Sequence, residues 1–462
     1  MSSGTLTPFD SEASRDWDAL LGDWTRADHE RFVEVMREQH PSFWLLSNAD
    51  MVPVRPPILS GQLYAAAASA THRLARLVAR AFFAEFKLQW PKAVLDAGFD
   101  PSVLDLFDPV PDDRGATIST GRGDFCISQG QMKFFEVNIH TALGALYELA
   151  VLPRFYLGRK DGAAMRKRHA LYADSAVLRM AELLEEVAGK AQSVIRPRVA
   201  VVDLGLERLR VEQFATALAA AGLPTVFARP ADLAVRNGRV LSHDLEVDLV
   251  LRMFPIYHLE FPRDTTLVER LADVHRHGAA TSLPDEAISF ASTKVSLALL
   301  WERIRELAPA DAEFVRTTVP WTARIENETA DVVLRDGAVV DTAQLLATAR
   351  ERDLVLKKGA SYGGAHVVVA RGVTPGQWDD AAQHALREAD WVVQEFVEAE
   401  PSYLPFFTDA GKLVRRKVDV VLGVCNIGGR PAGCLVRYRR PGATGPINVG
   451  TGAGAAAAVV AG

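Results

Sequence analysis

Two short stretches, Gly121-Arg122-Gly123-Asp124-Phe125 and Phe135-Glu136-Val137-Asn138, constrain the fold most, because Gly130 between them offers a tight turn. Pairing the two about Gly130 sets Asp124 opposite Glu136 and Arg122 opposite Asn138. It sends Phe125, Ile127, Phe135 and Val137 to the other face. Carboxylates facing each other across a hairpin repel by a few tenths to about 1 kcal/mol in water, and by more when desolvated. Such a pair calls for positive charge, either a bound cation or Arg122 itself neutralising a solvated outer face. Asp124, Glu136 and the Asn138 amide are hard oxygen donors with no His or Cys among them, a set that suits Mg2+ better than zinc.

A chain of 462 residues is too long for one small core, so two or three packed subdomains are expected. The net charge of −6, with no long basic run, argues against nucleic acid or an acidic membrane as partner and leaves small molecules as the expected ligands. Cys126, Cys425 and Cys434 show no CxxC or Cys/His ligand spacing, which points to a reducing compartment. Residues 1–30 are polar and acidic, and no apolar run reaches about 18 residues, so a cytoplasmic protein is expected. Nothing in the sequence sets the oligomeric state.

Helical periodicity marks residues 60–90, with Arg73, Arg76 and Arg80 at helical spacing, and returns over 143–189 after the hairpin at 118–138. The strands are therefore expected as an insertion in a helical N-terminal half. From 198 the texture alternates: strand 199–203, a helix through 215–221, then strands 225–228 and 248–252, as in an α/β layer. The turn at 204–208 lacks G-x-G-x-x-G, so no dinucleotide site is expected there. A third section follows with helix 293–307, strands 353–357 and 365–370, a helix through 381–389, and strands 391–397, 418–424 and 433–438. These textures divide the chain into 1–116, 117–197, 198–290 and 291–462. Residues 452–462 are Gly, Ala and Val only; they are expected to fray or pack loosely and are given no function.

Lysine is scarce, so its placement is informative. Lys294 opens a helix, and Lys357 ends an apolar strand just before a loop carrying Gly359, Gly363 and Gly364, where bare backbone N–H groups could cradle phosphates. The plainer reading is a turn using glycine for its backbone freedom, and no Walker A motif is present. Gln394-Glu395-Phe396-Val397 closes another apolar strand, whose backbone could meet an adenine edge. Cys126 and His140 share the polar face of the hairpin, but no third residue orients them as a catalytic pair.

Taken in order, these residues resemble a known pattern. Arg122-x-Asp124, the twelve-position step to Glu136, and Glu136-x-Asn138 are similar to the magnesium signature of the glutathionylspermidine synthase-like enzymes, the circularly permuted ATP-grasp ligases. The resemblance spans 117–448. It takes in the Ser292-Thr-Lys294 helix start, Leu356-Lys357 with its glycine loop, Val393 to Val397, and Arg430-Pro-Ala-Gly433 followed by Arg437. The family's amidase domain has no counterpart, and the first hundred or so residues match no motif of it.

The resemblance implies an α/β (α+β) fold: a permuted ATP-grasp with a pre-ATP-grasp α/β subdomain and a helical N-terminal part. It implies ATP held by Lys294, Lys357, Gly359, Gly363, Gly364, Gln394, Glu395, Val397 and Arg437, and Mg2+ held by Asp124, Glu136 and Asn138. Arg122 would stabilise the transferring phosphoryl group, so that a carboxylate becomes an acyl phosphate and an amine displaces phosphate to give an amide. A small-molecule phosphotransferase or an inactive nucleotide-binding protein would use the same site. Which carboxylate and which amine are taken is left open.

Overall fold

In a computed structural model, the structure describes residues 9, 11–41, 51–86, 104, 119–192, 194–205, 207–255, 263–278, 280–283, 288, 291–361, 363–388, 390–442 and 445–462. The hairpin forms where glycine permits it, from strands Thr120–Ser128 and Gln131–Asn138 joined through Gln129 and Gly130, both left-handed at φ +51° and +69°. Arg122 pairs with Asn138 and Asp124 with Glu136.

One part of the expected facing is wrong. The register shifts after Asp124, so that Phe125 opposes Phe134 and Phe135 becomes the extra residue of a β-bulge. One inserted residue reverses the alternation. Phe134 therefore enters the core, its ring centroid 4.8 Å from that of Phe125, and Phe135 turns to the polar face.

The hairpin is not an insertion among helices. Thr120–Ser128 pairs antiparallel with the long strand Leu413–Ile427, which pairs in turn with Arg430–Arg439 and, at its outer half, with Ser402–Phe407. A six-stranded sheet thus joins segments some 300 positions apart. The 26-residue helix Gly61–Phe86 packs across one face, and its small residues Ala67, Ala68, Thr71 and Ala75 let it come close. At Gly123 a Cβ would lie 2.6 Å from Thr71 Oγ1 and 2.7 Å from the Phe134 ring, so the approach requires glycine. Helices Leu146–Gly158 and Ala176–Gln192 cover the other face.

The α/β layer consists of four parallel strands in the order Thr281–Leu283, Leu249–Arg252, Val199–Val202 and Thr225–Ala228. Helix Arg208–Ala220 lies on one face and Thr265–His277 on the other, which is why Val199-Ala-Val-Val is apolar without alternation. The third section is an antiparallel sheet ordered Thr322–Ile325, Trp391–Glu395, Leu354–Lys358 and Val367–Val369, backed by helices Val295–Glu302 and Pro375–Arg387. Among the described residues no helix is long and apolar enough to cross a membrane.

The expectation for 452–462 is overturned. Gly454–Ala457 pairs with Arg430–Arg439, and Val459–Ala461 lies parallel to Ile58–Ser60. Ala455 and Ala457 enter the core beneath the helices Leu146–Gly158 and Ala176–Gln192, while Ala456, Ala458 and Val460 enter the core beneath Gly61–Phe86. A strand buried on both faces needs no polar residues. Its ladder satisfies the backbone, and small side chains fit between close layers. Removing residues 454–462 is expected to abolish cooperative thermal unfolding; an unchanged melting temperature for the truncated chain, measured by circular dichroism, would return the segment to a frayed tail.

Candidate functional site

A cavity of about 440 Å3 opens between the hairpin and its C-terminal partner strands on one side and the Leu354–Lys358 and Trp391–Glu395 strands on the other. Eight of the residues singled out by sequence line it: Glu136, Lys294, Lys357, Gly364, Gln394, Glu395, Val397 and Arg437. Arg122, Asp124, Asn138, Gly359 and Gly363 do not line it.

Two lysines from different elements converge on it. Lys294 Nζ donates to the Ser361 carbonyl at 2.8 Å and lies 3.5 Å from Glu136 Oε1. Lys357 Nζ donates to Gln394 Oε1 at 2.5 Å, lies 3.5 Å from the Phe135 carbonyl oxygen, and sits 5.3 Å from the centroid of the Phe135 ring that the bulge brought round. Burial pushes the Lys357 ammonium down to about 8, with Glu136 pulling against it. Its neighbour Lys358 points away to Glu388 at 2.9 Å.

Asp124 is fully buried, and its carboxylate is already occupied. Arg122 donates from Nε to Oδ1 at 2.9 Å and from Nη2 to Oδ2 at 3.0 Å, and Arg437 Nη2 stands 2.8 Å from Oδ1. Burial raises the carboxyl, but the two guanidinium groups outweigh it and hold the group below the usual carboxylate range. The remaining end of Arg122 donates to the Leu143 carbonyl. Gly423, opposite Asp124 in the ladder, makes room for this cluster, since a Cβ there would lie 2.8 Å from Asp124 Oδ1. The positive charge demanded by the opposed acids is thus supplied by Arg122 and Arg437 around Asp124 and by Lys294 near Glu136. Glu136 remains at the cavity wall, and Asn138, two residues along the same face, has a buried Nδ2 without a hydrogen-bond partner among the described residues. Among those residues no group of three or more His, Cys, Asp or Glu side chains could hold a metal by itself.

The glycines divide by role. Gly359 is glycine because the Asp390 carboxylate lies where its Cβ would be, at 1.9 Å, accepting from Ala360 N at 2.6 Å. Burial raises Asp390 to about 6 against that hydrogen bond and the charge of Lys294. Gly363 and Gly364 are left-handed at φ +68° and +77°; Gly364 abuts Pro446 and Asn448. Tyr362 lies outside the described residues.

The strand after Trp391 departs from expectation. Gln394 pairs with Thr322 on one side and Val355 on the other, so its backbone is spent within the sheet. Glu395 N donates to the Trp321 carbonyl at 2.9 Å and Phe396 N to the Asp353 carbonyl at 2.8 Å. Val397 is the first position whose backbone makes no hydrogen bond among the described residues. Sequence reasoning missed Phe135, the Arg371 guanidinium 3.9 Å from the Phe396 ring centroid, and the segment 445–448 that closes the cavity over Gly364. The glycine and proline spacing Pro441-Gly442…Gly445-Pro446 was the available signal for that last wall. Cys126 also lines the cavity, but burial pushes its thiol up to about 12 and its ladder partner is Lys133, not His140.

No family model matches the chain, and no curated protein does. Among solved structures it is similar to a glutathione synthetase-like effector, GSS30, from Globodera pallida in its apo form, at 15% identity and a TM-score of 0.52 over 92% of this chain and 94% of that one. The two share a fold. A putative gamma-glutamylcysteine synthetase from Methylobacillus flagellatus matches at 12% identity with a TM-score of 0.41, covering 82% and 85% of the two chains. A D-alanyl-alanine synthetase A from Vibrio cholerae matches 49% of this chain and 67% of its own at 10% identity, with a TM-score of 0.27.

The two hairpin acids are expected to respond differently to mutation. Asp124→Asn strands two buried guanidinium groups and is expected to cost about 3–5 kcal/mol in ligand-free protein, whereas Glu136→Gln should leave the ligand-free melting temperature nearly unchanged. Equal, small shifts for both in differential scanning calorimetry would show that Asp124 is not an anchoring charge.

Proposed function

We propose that this chain is an ATP- and Mg2+-dependent carboxylate-amine ligase of the ATP-grasp kind, in the permuted order of the glutathionylspermidine synthase-like enzymes. The observation that carries the reading is the convergence of Lys294 and Lys357, borne on separate elements, onto one cavity facing Glu136. The hairpin bearing Glu136 precedes both lysines in the chain.

In this reading the lysines hold the phosphates, with Lys294 fixed by the Ser361 carbonyl and Lys357 by Gln394. The Val397 backbone and the apolar wall of Val355, Val367 and Val369 receive the adenine. The donors fit Mg2+, which binds through one or two side-chain oxygens and otherwise through phosphates and water. Glu136 and Asn138 would hold it, and it would supply charge neutralisation at the β- and γ-phosphates. Asp124 would reach such an ion only by exchanging an arginine, so its first role is to aim Arg437 at the cavity. Arg122 acts from behind through Asp124, and Arg437 is the guanidinium placed to stabilise charge on the transferring group. The cavity walls, closed by Pro446 and Asn448 against Gly364, keep water from an acyl phosphate.

Two outcomes test this. ADP release is expected only with Mg2+ and a carboxylate, with an amide product on adding an amine; pooled carboxylates and amines, followed by mass spectrometry, check it. A stable phosphorylated product that gives no amide on adding any amine would favour phosphoryl transfer, and absence of any Mg-ATP stabilisation of the fold would defeat the reading.

Lys357 sets the pH dependence. Its ammonium titrates near 8 when folded, so Mg-ATP affinity is expected to hold below that pH and fall above it, while Lys357→Met loses the step. Its stability term has the opposite slope. The unfolded chain binds the extra proton between about 8 and the ordinary lysine value, so ligand-free stability rises across that window.

A further inference from the structure

Lys357 is held by more than one contact. Gln394 Nε2 donates to Thr322 Oγ1 at 2.9 Å, and Thr322 Oγ1 donates to the Pro320 carbonyl at 2.9 Å. Thr322 and Gln394 are ladder partners, and Lys357 lies diagonally from Gln394 across the next pair of strands, so the three side chains share one face. Thr322 and Gln394 are buried, at 1% and 2% exposure, and Thr322 does not reach the cavity.

The chain of donors fixes its own polarity. A carbonyl oxygen can only accept, so the Thr322 hydroxyl hydrogen goes to Pro320 and its lone pair is left to accept. Gln394 must therefore turn its NH2 to Thr322 and its oxygen to Lys357. The reversed amide would set an NH2 against an ammonium and leave Thr322 with one hydrogen for two acceptors. A buried ammonium opposite an acceptor is held; opposite a donor it is expelled.

We infer that Gln394 is the positioning residue for Lys357, locked in its accepting orientation by Thr322, a residue that touches neither the cavity nor the lysine. This deepens the role of the cavity proposed above and rests on it only for the ligand. Among the described residues the other groups around Lys357 are Glu136, Lys294, Cys126 and the Phe135 ring, none of which offers a neutral side-chain acceptor within hydrogen-bonding distance of its Nζ.

The inference predicts a signature that mere packing does not give. Thr322→Val, nearly the same volume without the hydroxyl, is expected to weaken Mg-ATP binding by about tenfold in calorimetric titration of the full chain, as loss of a hydrogen bond to a charged group does. Thr322→Ser is expected to restore most of that loss. On a Lys357→Met background Thr322→Val should add no more than about twofold, since both act through one contact. Wild-type affinity in Thr322→Val, or a loss that adds fully to that of Lys357→Met, overturns the inference.

A second measurement needs no nucleotide. Acetic anhydride labelling of the ligand-free protein, followed by mass spectrometry, is expected to acylate Lys357 several-fold faster in Thr322→Val and in Gln394→Met, because an ammonium without its acceptor gives up its proton more readily. Unchanged labelling in the folded variants overturns the inference whatever the ligand. Faster labelling in a protein that binds no ATP upholds it and counts against the nucleotide reading alone.

Discussion

The carboxylate of Asp124, buried between Arg122 and Arg437, ties the molecule together. Three strands contribute: the hairpin gives Arg122 and Asp124, the long strand gives the vacancy at Gly423, and the following strand gives Arg437. A charge taken out of water is tolerated only with its partners in place. The hairpin therefore cannot settle against the C-terminal strands in another register without leaving a buried ion alone. The same alignment brings Glu136 to the edge of the cavity and Arg437 to its wall, so the ion cluster fixes both the sheet and the face of the site.

Against that fixed floor stands a sheet that carries its own cation. Lys357 lies on an otherwise apolar strand, and among the described residues Gln394 and the Phe135 carbonyl are what offer it a hydrogen-bonding oxygen. Burial depresses its proton affinity while Glu136 across the gap raises it, so the lysine is tuned by a residue from the opposite wall. Burial likewise raises Asp390, with the charge of Lys294 pulling against it, at the base of the glycine loop where the loop amide of Ala360, the Asp390 carboxylate and the helix start meet. Such a site gathers positive charge at the wall of a cavity, which is what the proposed binding of an anionic ligand calls for.

The hairpin was the most legible feature, because strand alternation is local and the turn needs glycine. Pivoting on Gly130 gives its pairings Arg122 with Asn138 and Asp124 with Glu136, although the turn observed at Gln129-Gly130 delivers them only through the extra residue of the bulge. Phe135 was not legible, since a bulge depends on which phenylalanine fits against Phe125 and Thr71 in the assembled core. The place of Gln394 is not legible either, because nothing in its own strand announces that Thr322 and Val355 will flank it. The alanine-rich terminus hides its strands for a related reason. Without polar punctuation it looks idle, yet a strand enclosed on both faces requires such plainness.

What the sequence determined by itself was the local chemistry: an acidic hairpin with a hard-donor set, two isolated lysines, a glycine loop and an α/β layer without a dinucleotide fingerprint. These follow from residue type, spacing and backbone freedom, which act over a few positions. Tertiary structure alone decided which charges meet. Arg437 reaches Asp124 from more than three hundred positions away, Lys357 faces Glu136 across a cavity, and Thr322 sets the amide of Gln394. Electrostatic and hydrogen-bond energies depend on distance in space and on exclusion of water, and neither is fixed until the sheets have packed.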